Sequence, residues 1–276
     1  MTLLGAAQIR ELAAALDLKP SKSLGQNFVI DSNVCTKIVR TAAVGPTDIA
    51  LEIGPGLGSL TLALLDSAAS VVAVEIDSRL AGQLPITVAN LFEHPENLTV
   101  LNQDALSIQS LPVNPTVLVA NLPYNVSVPV LLHLLEKFES LRTGVVMVQA
   151  EVADRLAAKP GTKEYGIPSV KAAWWAEVKG AGSVSRSVFW PAPNVDSKLV
   201  SFTRRQTPGD EVLRRKVFTI IDAAFAQRRK MLRSALSSLY GSSSNAEQIL
   251  KRADIDPTLR GEALEISSFC AIAAVA

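Results

Sequence analysis

Five short runs rich in apolar residues constrain this chain more than any other feature. They fall at 49–53, 71–75, 98–101, 117–120 and 145–148. A strand that is apolar on both faces is stable only in a sheet covered on both sides. The chain supplies the covering itself, because helical spacing follows at 59–66, from 78 onward and at 128–138. Strands alternating with helices predict an α/β fold built on a parallel, doubly wound sheet. Late strands are expected at 174–178 and 198–202, where they can pair at a sheet edge. After Thr207-Pro208-Gly209 the pattern changes to helical segments near 211–225, 229–239, 246–253 and 267. The expected division is therefore a larger α/β domain over 1–205 and a small all-helical domain over 206–276.

Chemistry in such sheets sits at the carboxyl ends of the strands. Glu52-Ile53-Gly54-Pro55-Gly56-Leu57-Gly58 ends the first apolar run and opens a helix. Glycines there let the backbone approach a ligand and expose helix N-terminal N–H groups. A glycine loop is shared with dinucleotide enzymes. Here the spacing is G-x-G-x-G, an acid precedes it, and Pro55 removes an N–H that a pyrophosphate cradle needs. A cofactor with an amino-acid tail and no phosphates fits better, namely S-adenosylmethionine. Gly54 and Gly56 are the loop contacts expected. Glu75 ends the second strand about 20 residues on, where an acid binds ribose hydroxyls, and Asp104 follows the third strand, where it can accept from an adenine amine. Either acid alone is as consistent with a surface carboxylate.

Asn121-Leu122-Pro123-Tyr124 ends the fourth strand. Asn offers a side-chain carbonyl to an N–H. Pro123 stiffens the loop and holds Leu122 extended, which leaves the Leu122 carbonyl as a second acceptor. Tyr124 offers a flat face. Together they suit the exocyclic amine of a planar base, although four residues by themselves are also compatible with a plain turn.

Composition sets the outer limits. Hydrophobic residues at 48% and charged residues at 19% describe a globular chain, not a disordered one. No apolar run is long enough to span a bilayer. The segment 1–18 carries Glu11 and Asp17 and lacks a basic leader, so a short amphipathic helix is expected rather than a secretory signal. Cys35 and Cys270 make neither a metal cluster nor a disulfide framework, which points to a reducing cytoplasm and no metal. The net charge of +1 hides an asymmetry. Residues 198–233 hold ten Lys/Arg and three acids, or +7, which leaves −6 for the rest. A basic segment on an acidic protein suggests a polyanion partner, with a solvated helix face as the plain alternative.

With these motifs in one chain, the sequence resembles the ribosomal RNA adenine N6,N6-dimethyltransferases. The likeness is greatest to the bacterial members that modify two adjacent adenosines near the 3′ end of small-subunit (16S) rRNA. Further segments carry it almost end to end. They are Ser23-Leu24-Gly25-Gln26-Asn27-Phe28, Gly161-Thr162-Lys163-Glu164-Tyr165-Gly166, Phe189-Trp190-Pro191-Ala192-Pro193-Asn194-Val195-Asp196-Ser197 and Phe225-Ala226-Gln227-Arg228-Arg229-Lys230. The resemblance implies a Rossmann-like class I S-adenosylmethionine-dependent methyltransferase domain with a C-terminal helical domain. It implies cofactor contacts at Asn27, Val29, Gly54, Glu75, Asp104 and Asn121. It implies that Asn121, Leu122 and Tyr124 hold the target adenine with Phe189 on its other face. Arg228, Arg229, Lys230 and Arg233 would meet RNA phosphates of the small ribosomal subunit or its precursor, with no membrane partner and a monomer favoured. The family often has Leu where Val29 stands, Lys where Ala150 stands, and a small residue in place of Trp190.

Two other readings stay open at this level. A large-subunit rRNA methyltransferase of the antibiotic-resistance type shares fold and chemistry, but Leu at 122 and the Leu24–Phe28 and Gly54–Gly58 motifs favour the small-subunit group. A non-catalytic ribosome-assembly factor on the same fold is the other, with a nicotinamide-dependent dehydrogenase behind both.

Overall fold

In the computed structural model, which describes residues 3–18 and 26–276, the apolar runs become the middle of one sheet. The first half of the chain forms α1 (Ala6–Ala15), β1 (Phe28–Val29), α2 (Ser32–Thr41), β2 (Ile49–Ile53), α3 (Ser59–Leu65), β3 (Ser70–Glu75), α4 (Ser78–Leu91), β4 (Leu98–Asn102), β5 (Val117–Asn121), α5 (Ser127–Lys137) and β6 (Thr143–Gln149). Then come α6 (Ala150–Leu156), α7 (Ile167–Ala172), β7 (Ala176–Val184), β8 (Phe189–Trp190) and β9 (Ser197–Arg204). The last segments are α8 (Glu211–Ala226), α9 (Leu232–Ala235), α10 (Ser237–Tyr240), α11 (Ser243–Arg252) and α12 (Ile266–Val275). The first three residues of the Ser23–Phe28 motif lie outside the described residues.

Seven strands lie in the order β4-β3-β2-β5-β6-β9-β7. The pairings from β4 through β6 are parallel, and β9 runs antiparallel to β6 with Ser197 opposite Gln149. Val117, Leu118, Val119 and Ala120 of β5 are fully buried. Each such valine or leucine stabilises the sheet by about 1.5–3 kcal/mol. The edge strand β4 is only half-buried, as its Thr99 suggests. Gly144 lets β5, β6 and β9 close up, since a Cβ there would run into the Leu118 carbonyl and the Phe202 ring.

Asp31 and Asp77 cap α2 and α4 by accepting from Asn33 N–H and Arg79 N–H. The helix begun at Ser78 continues through Pro85 to Leu91, with Leu84, Thr87 and Val88 buried on its inner side. Packing of that face outweighs the missing N–H of proline.

Two compact units emerge, Met1–Ala153 with Gly180–Thr203, and Asp154–Lys179 with Arg204–Ala276. The division expected near 205 is a single cut, whereas residues 154–179 pack with the later helices. Aromatic contacts explain the difference. Trp174 and Trp175 meet the Phe218 ring edge-on at centroid distances of 6.2 and 5.5 Å. Tyr165 lies 6.2 Å from Phe225 and donates its hydroxyl to the Leu264 carbonyl at 2.8 Å. Both tryptophans are buried just before β7, so the strand expected over 174–178 starts two residues later at Ala176. The helix expected over 229–239 is instead a turn followed by the short α9 and α10.

Candidate active site at the carboxyl ends of the strands

The sheet reverses its winding between β2 and β5, and such a point opens a crevice beyond the strand ends. The glycine loop follows β2 and the Asn121 segment follows β5, so the two motifs meet there. A Cβ built on Gly54 would stand 3.8 Å from the Asn121 carbonyl oxygen and 3.9 Å from the Pro123 ring. Gly54, Gly56 and Gly58 adopt φ of +67°, +57° and +99°, which other residues rarely take. At Gly56 space matters as well, because a Cβ would lie 2.9 Å from the Phe28 ring.

One cavity in this crevice is lined by Asn27, Val29, Gly54, Gly56, Glu75, Asp104, Asn121 and Pro123. Eight of the residues expected from the sequence are thus brought together. Glu75 Oε2 accepts from Gly56 N–H at 3.1 Å and Oε1 from Asp77 N–H at 3.0 Å. Each oxygen retains acceptor capacity for a hydroxyl. Burial raises the Glu75 pKa, with the two N–H donors opposing the shift. Asp104 is exposed at the rim and its Oδ1 accepts from Leu106 N–H. Glu52 lies fully buried on the cavity floor and accepts from the Thr61 hydroxyl at 2.7 Å. Burial pushes its pKa up to about 8, and the neighbouring Glu75 charge adds to the rise.

Asn121 carries the most telling feature. Its Nδ2 donates to the Asn27 carbonyl at 3.1 Å. A carbonyl only accepts, so the amide nitrogen must face it, and Oδ1 is turned the other way. That oxygen is buried and has no hydrogen-bond partner among the described residues. A buried acceptor without a partner costs about 1–3 kcal/mol, and a ligand N–H would relieve it. Asn27 belongs to a strap over the cavity. The Ser59 hydroxyl donates to the Val29 carbonyl at 2.7 Å, and β1 pairs with β8 through Phe28–Trp190 and Val29–Phe189. Val29 is therefore gripped through its backbone, and the Val-for-Leu change does not touch that bond. Trp190 stacks on Phe28 with centroids 6.3 Å apart, which occupies its extra bulk.

The other members of the group are placed differently. Leu122 is buried in the core, with its N–H bonded to the Met147 carbonyl at 3.0 Å. Tyr124 is half-buried beside the cavity and its hydroxyl meets Ser197 Oγ at 2.8 Å. Burial raises the Tyr124 pKa. Phe189 is 3% exposed and belongs to the hydrophobic core, not to the cavity wall. Pairing with Val29 on β1 covers it, so its ring supports the strap. His133 bonds the Ile108 carbonyl, and His94 is exposed beside Glu96.

Sequence reasoning missed two apolar groups. Ile76 and Leu106 line the cavity although 53% and 37% exposed. They follow Glu75 and Asp104 by one and two residues, so an apolar residue trailing each acid was the available signal. Apolar surfaces beside carboxylates suit a flat heterocycle on a ribose. With the positive-φ loop and the orphan Asn121 oxygen, this donor set fits S-adenosylmethionine.

In the helical unit the basic residues divide into two kinds. Arg228 pairs with Glu262 at 2.8 Å and donates to the Lys163 carbonyl at 2.6 Å. Arg233 pairs with Glu247 at 3.1 Å. Arg229 and Lys230 are exposed, and among the described residues neither carries an ion pair. Two of the four cations expected to meet phosphate are therefore committed internally.

A family model described as ribosomal RNA adenine dimethylase matches residues 18–276. The chain is 58% identical over 274 residues to the Ribosomal RNA small subunit methyltransferase A of Streptomyces avermitilis, covering 98% of this chain and 93% of that protein. It is 57% identical over 276 residues to the protein of the same name from Leifsonia xyli, covering 99% of each. Among solved structures, a dimethyladenosine transferase from Plasmodium falciparum shares the fold with a TM-score of 0.75, at 24% identity, covering 89% of this chain and 95% of that one. The 23S rRNA methyltransferase ErmE aligns with a TM-score of 0.67 at 25% identity, covering 90% of this chain and 99% of its own.

Proposed function

The chain belongs to the ribosomal RNA adenine dimethylase family, and from that premise we infer that it converts two adjacent adenosines near the 3′ end of 16S rRNA to N6,N6-dimethyladenosine. It is an S-adenosylmethionine-dependent rRNA adenine dimethyltransferase of a mostly parallel α/β fold. High identity over nearly the whole chain to small-subunit enzymes favours 16S over 23S rRNA as substrate.

The observation that supports the site assignment is the buried, unpartnered Asn121 Oδ1. When bound, S-adenosylmethionine supplies an electrophilic methyl group on a positively charged sulfur. Asn27, Val29, Gly54, Gly56, Glu75 and Asp104 would hold it, with Glu75 accepting from ribose hydroxyls. The difficulty lies in adenine N6, whose lone pair is delocalised into the ring. Asn121 Oδ1 and the Leu122 carbonyl would accept from the amine and favour a pyramidal nitrogen. They would also stabilise the positive charge that develops there. Pro123 keeps the two oxygens in register. Tyr124 would stack on the extruded base, worth roughly 1–3 kcal/mol. Among the described residues no histidine lines the cavity, and the N6 proton would leave to water after transfer.

Arg229 and Lys230 would grip phosphates and add affinity without reading sequence. Arg228 and Arg233 would shape the surface that presents them. The helical domain at 206–276 would act with residues 154–179 as the RNA-holding part. A small-subunit rRNA substrate would place its action in the cytoplasm, where the small subunit is available. Among the described residues no helix is long and apolar enough to cross a membrane.

Incubation with radiolabelled S-adenosylmethionine and each unmethylated ribosomal subunit tests this. Label is expected in dimethyladenosine of 16S rRNA. Label confined to 23S rRNA, or none in either, would refute it.

A further inference from the structure

We propose that Ser197 is a positioning residue that holds the ring of Tyr124 by its hydroxyl and so sets the plane on which the target base stacks. The inference rests on the assignment of Tyr124 above and extends it to a residue with no part in that assignment. Ser197 opens β9, which runs antiparallel to β6. It therefore lies at the carboxyl end of the parallel strands, where the site is. β6 separates β5 from β9. Tyr124, in the loop after β5, reaches over the end of β6 to place its hydroxyl 2.8 Å from Ser197 Oγ.

Ser197 is fully buried. A serine hydroxyl closed off from water needs a partner, and the partner present is Tyr124. The residue just before Ser197 is held by two bonds. The Asp196 carbonyl accepts from Ala150 N–H at 3.0 Å, and Asp196 Oδ1 accepts from Arg186 N–H at 2.9 Å. The anchor is therefore rigid, while the ring it holds is half-buried. At the near end the loop is tied by the Leu122 N–H bond to Met147. A tyrosine fixed at its backbone and at its hydroxyl has lost the freedom of both side-chain torsions. A base stacking on it then meets a preset surface, which is how positioning contributes to rate.

The test is a double-mutant cycle with Ser197→Ala, Tyr124→Phe and the two combined, read on unmethylated small ribosomal subunits. Each single change is expected to lower kcat about tenfold, the size of one hydrogen bond. KM for the subunit and the calorimetric affinity for S-adenosylmethionine should stay near wild type. The double variant should be no worse than either single one, because both remove the same bond. Wild-type turnover by Ser197→Ala, or losses that multiply in the double variant, would overturn the proposal. Should Ser197→Ala not fold, Tyr124→Phe probes the same bond from the solvent side, and full activity there overturns it equally. Tyr124→Ala separates this inference from its premise. A large loss in Tyr124→Ala with none in the other two sinks only the role of Ser197. Full activity in Tyr124→Ala sinks the stacking assignment as well.

Discussion

Asn121 and Asn27 lie 94 residues apart in the chain, yet the side-chain amide of one donates to the main-chain carbonyl of the other at 3.1 Å. The bond links the strap over the cavity to the carboxamide proposed to face the substrate amine. The orientation of Asn121 Oδ1 thus depends on the segment around residue 27 lying in place.

Asn121→Ala is expected to reduce single-turnover methyl transfer by at least about a hundredfold, in line with loss of one preorganised polar contact to developing charge. S-adenosylmethionine affinity should fall only modestly, since six other expected contacts remain. Rapid-quench kinetics and calorimetry check both halves. Near-wild-type turnover would remove Asn121 from the reaction.

Gly56→Ala should damage cofactor binding more than folding. A positive φ costs a residue with a Cβ about 1–2 kcal/mol, and the added carbon would displace the Phe28 ring that closes the cavity. A weaker calorimetric Kd for S-adenosylmethionine, with Tm lowered by only a few degrees, is the expected pair of results.

Glu52 makes the free protein sensitive to base. Its folded-state pKa of about 8 lies above the ordinary 4.5. The native state therefore binds a proton that the unfolded chain has already lost across that window. Stability from this group is complete below pH 4.5 and falls as pH rises toward 8, by up to about 1.4 kcal/mol per pH unit. Glu52→Gln keeps an acceptor for the Thr61 hydroxyl and carries no charge. Denaturant titrations of the cofactor-free protein from pH 5 to 9 should show a flatter profile for the variant. Parallel profiles would mean that Glu52 stays ionised.

Among the basic residues, exposure separates affinity from stability. Arg229→Gln with Lys230→Gln should weaken RNA binding and shrink the slope of log K against log salt by about 1.4–1.8, as for two phosphate contacts, leaving Tm unchanged. Arg228→Gln should lower Tm, because it strands Glu262 and the Lys163 carbonyl. A Tm loss in the first pair, or an unchanged Tm in the second variant, would reverse the roles.

Much of this was legible in the chain itself. The runs at 49–53, 71–75 and 117–120, the G-x-G-x-G loop and Asn121–Tyr124 are local patterns. Their periodicity and punctuation follow from short-range physics, namely strand and helix periods, glycine's freedom at positive φ, and proline's fixed torsion. From these the α/β class follows, together with the placement of both motifs at strand ends.

Contacts across long sequence separations were decided only by the folded molecule. Burial of Phe189 behind β1 depends on a strand pairing between residues about 160 apart, and periodicity carries no record of it. Commitment of Arg228 and Arg233 to Glu262 and Glu247 depends on how helices dock, so charge counting overstated the cations available for phosphate. The tryptophans at 174 and 175 joined the helical unit because Phe218 lay there to receive them. A pattern of residue types states what each segment tends to form; which partner each side chain finds is a property of the packed whole.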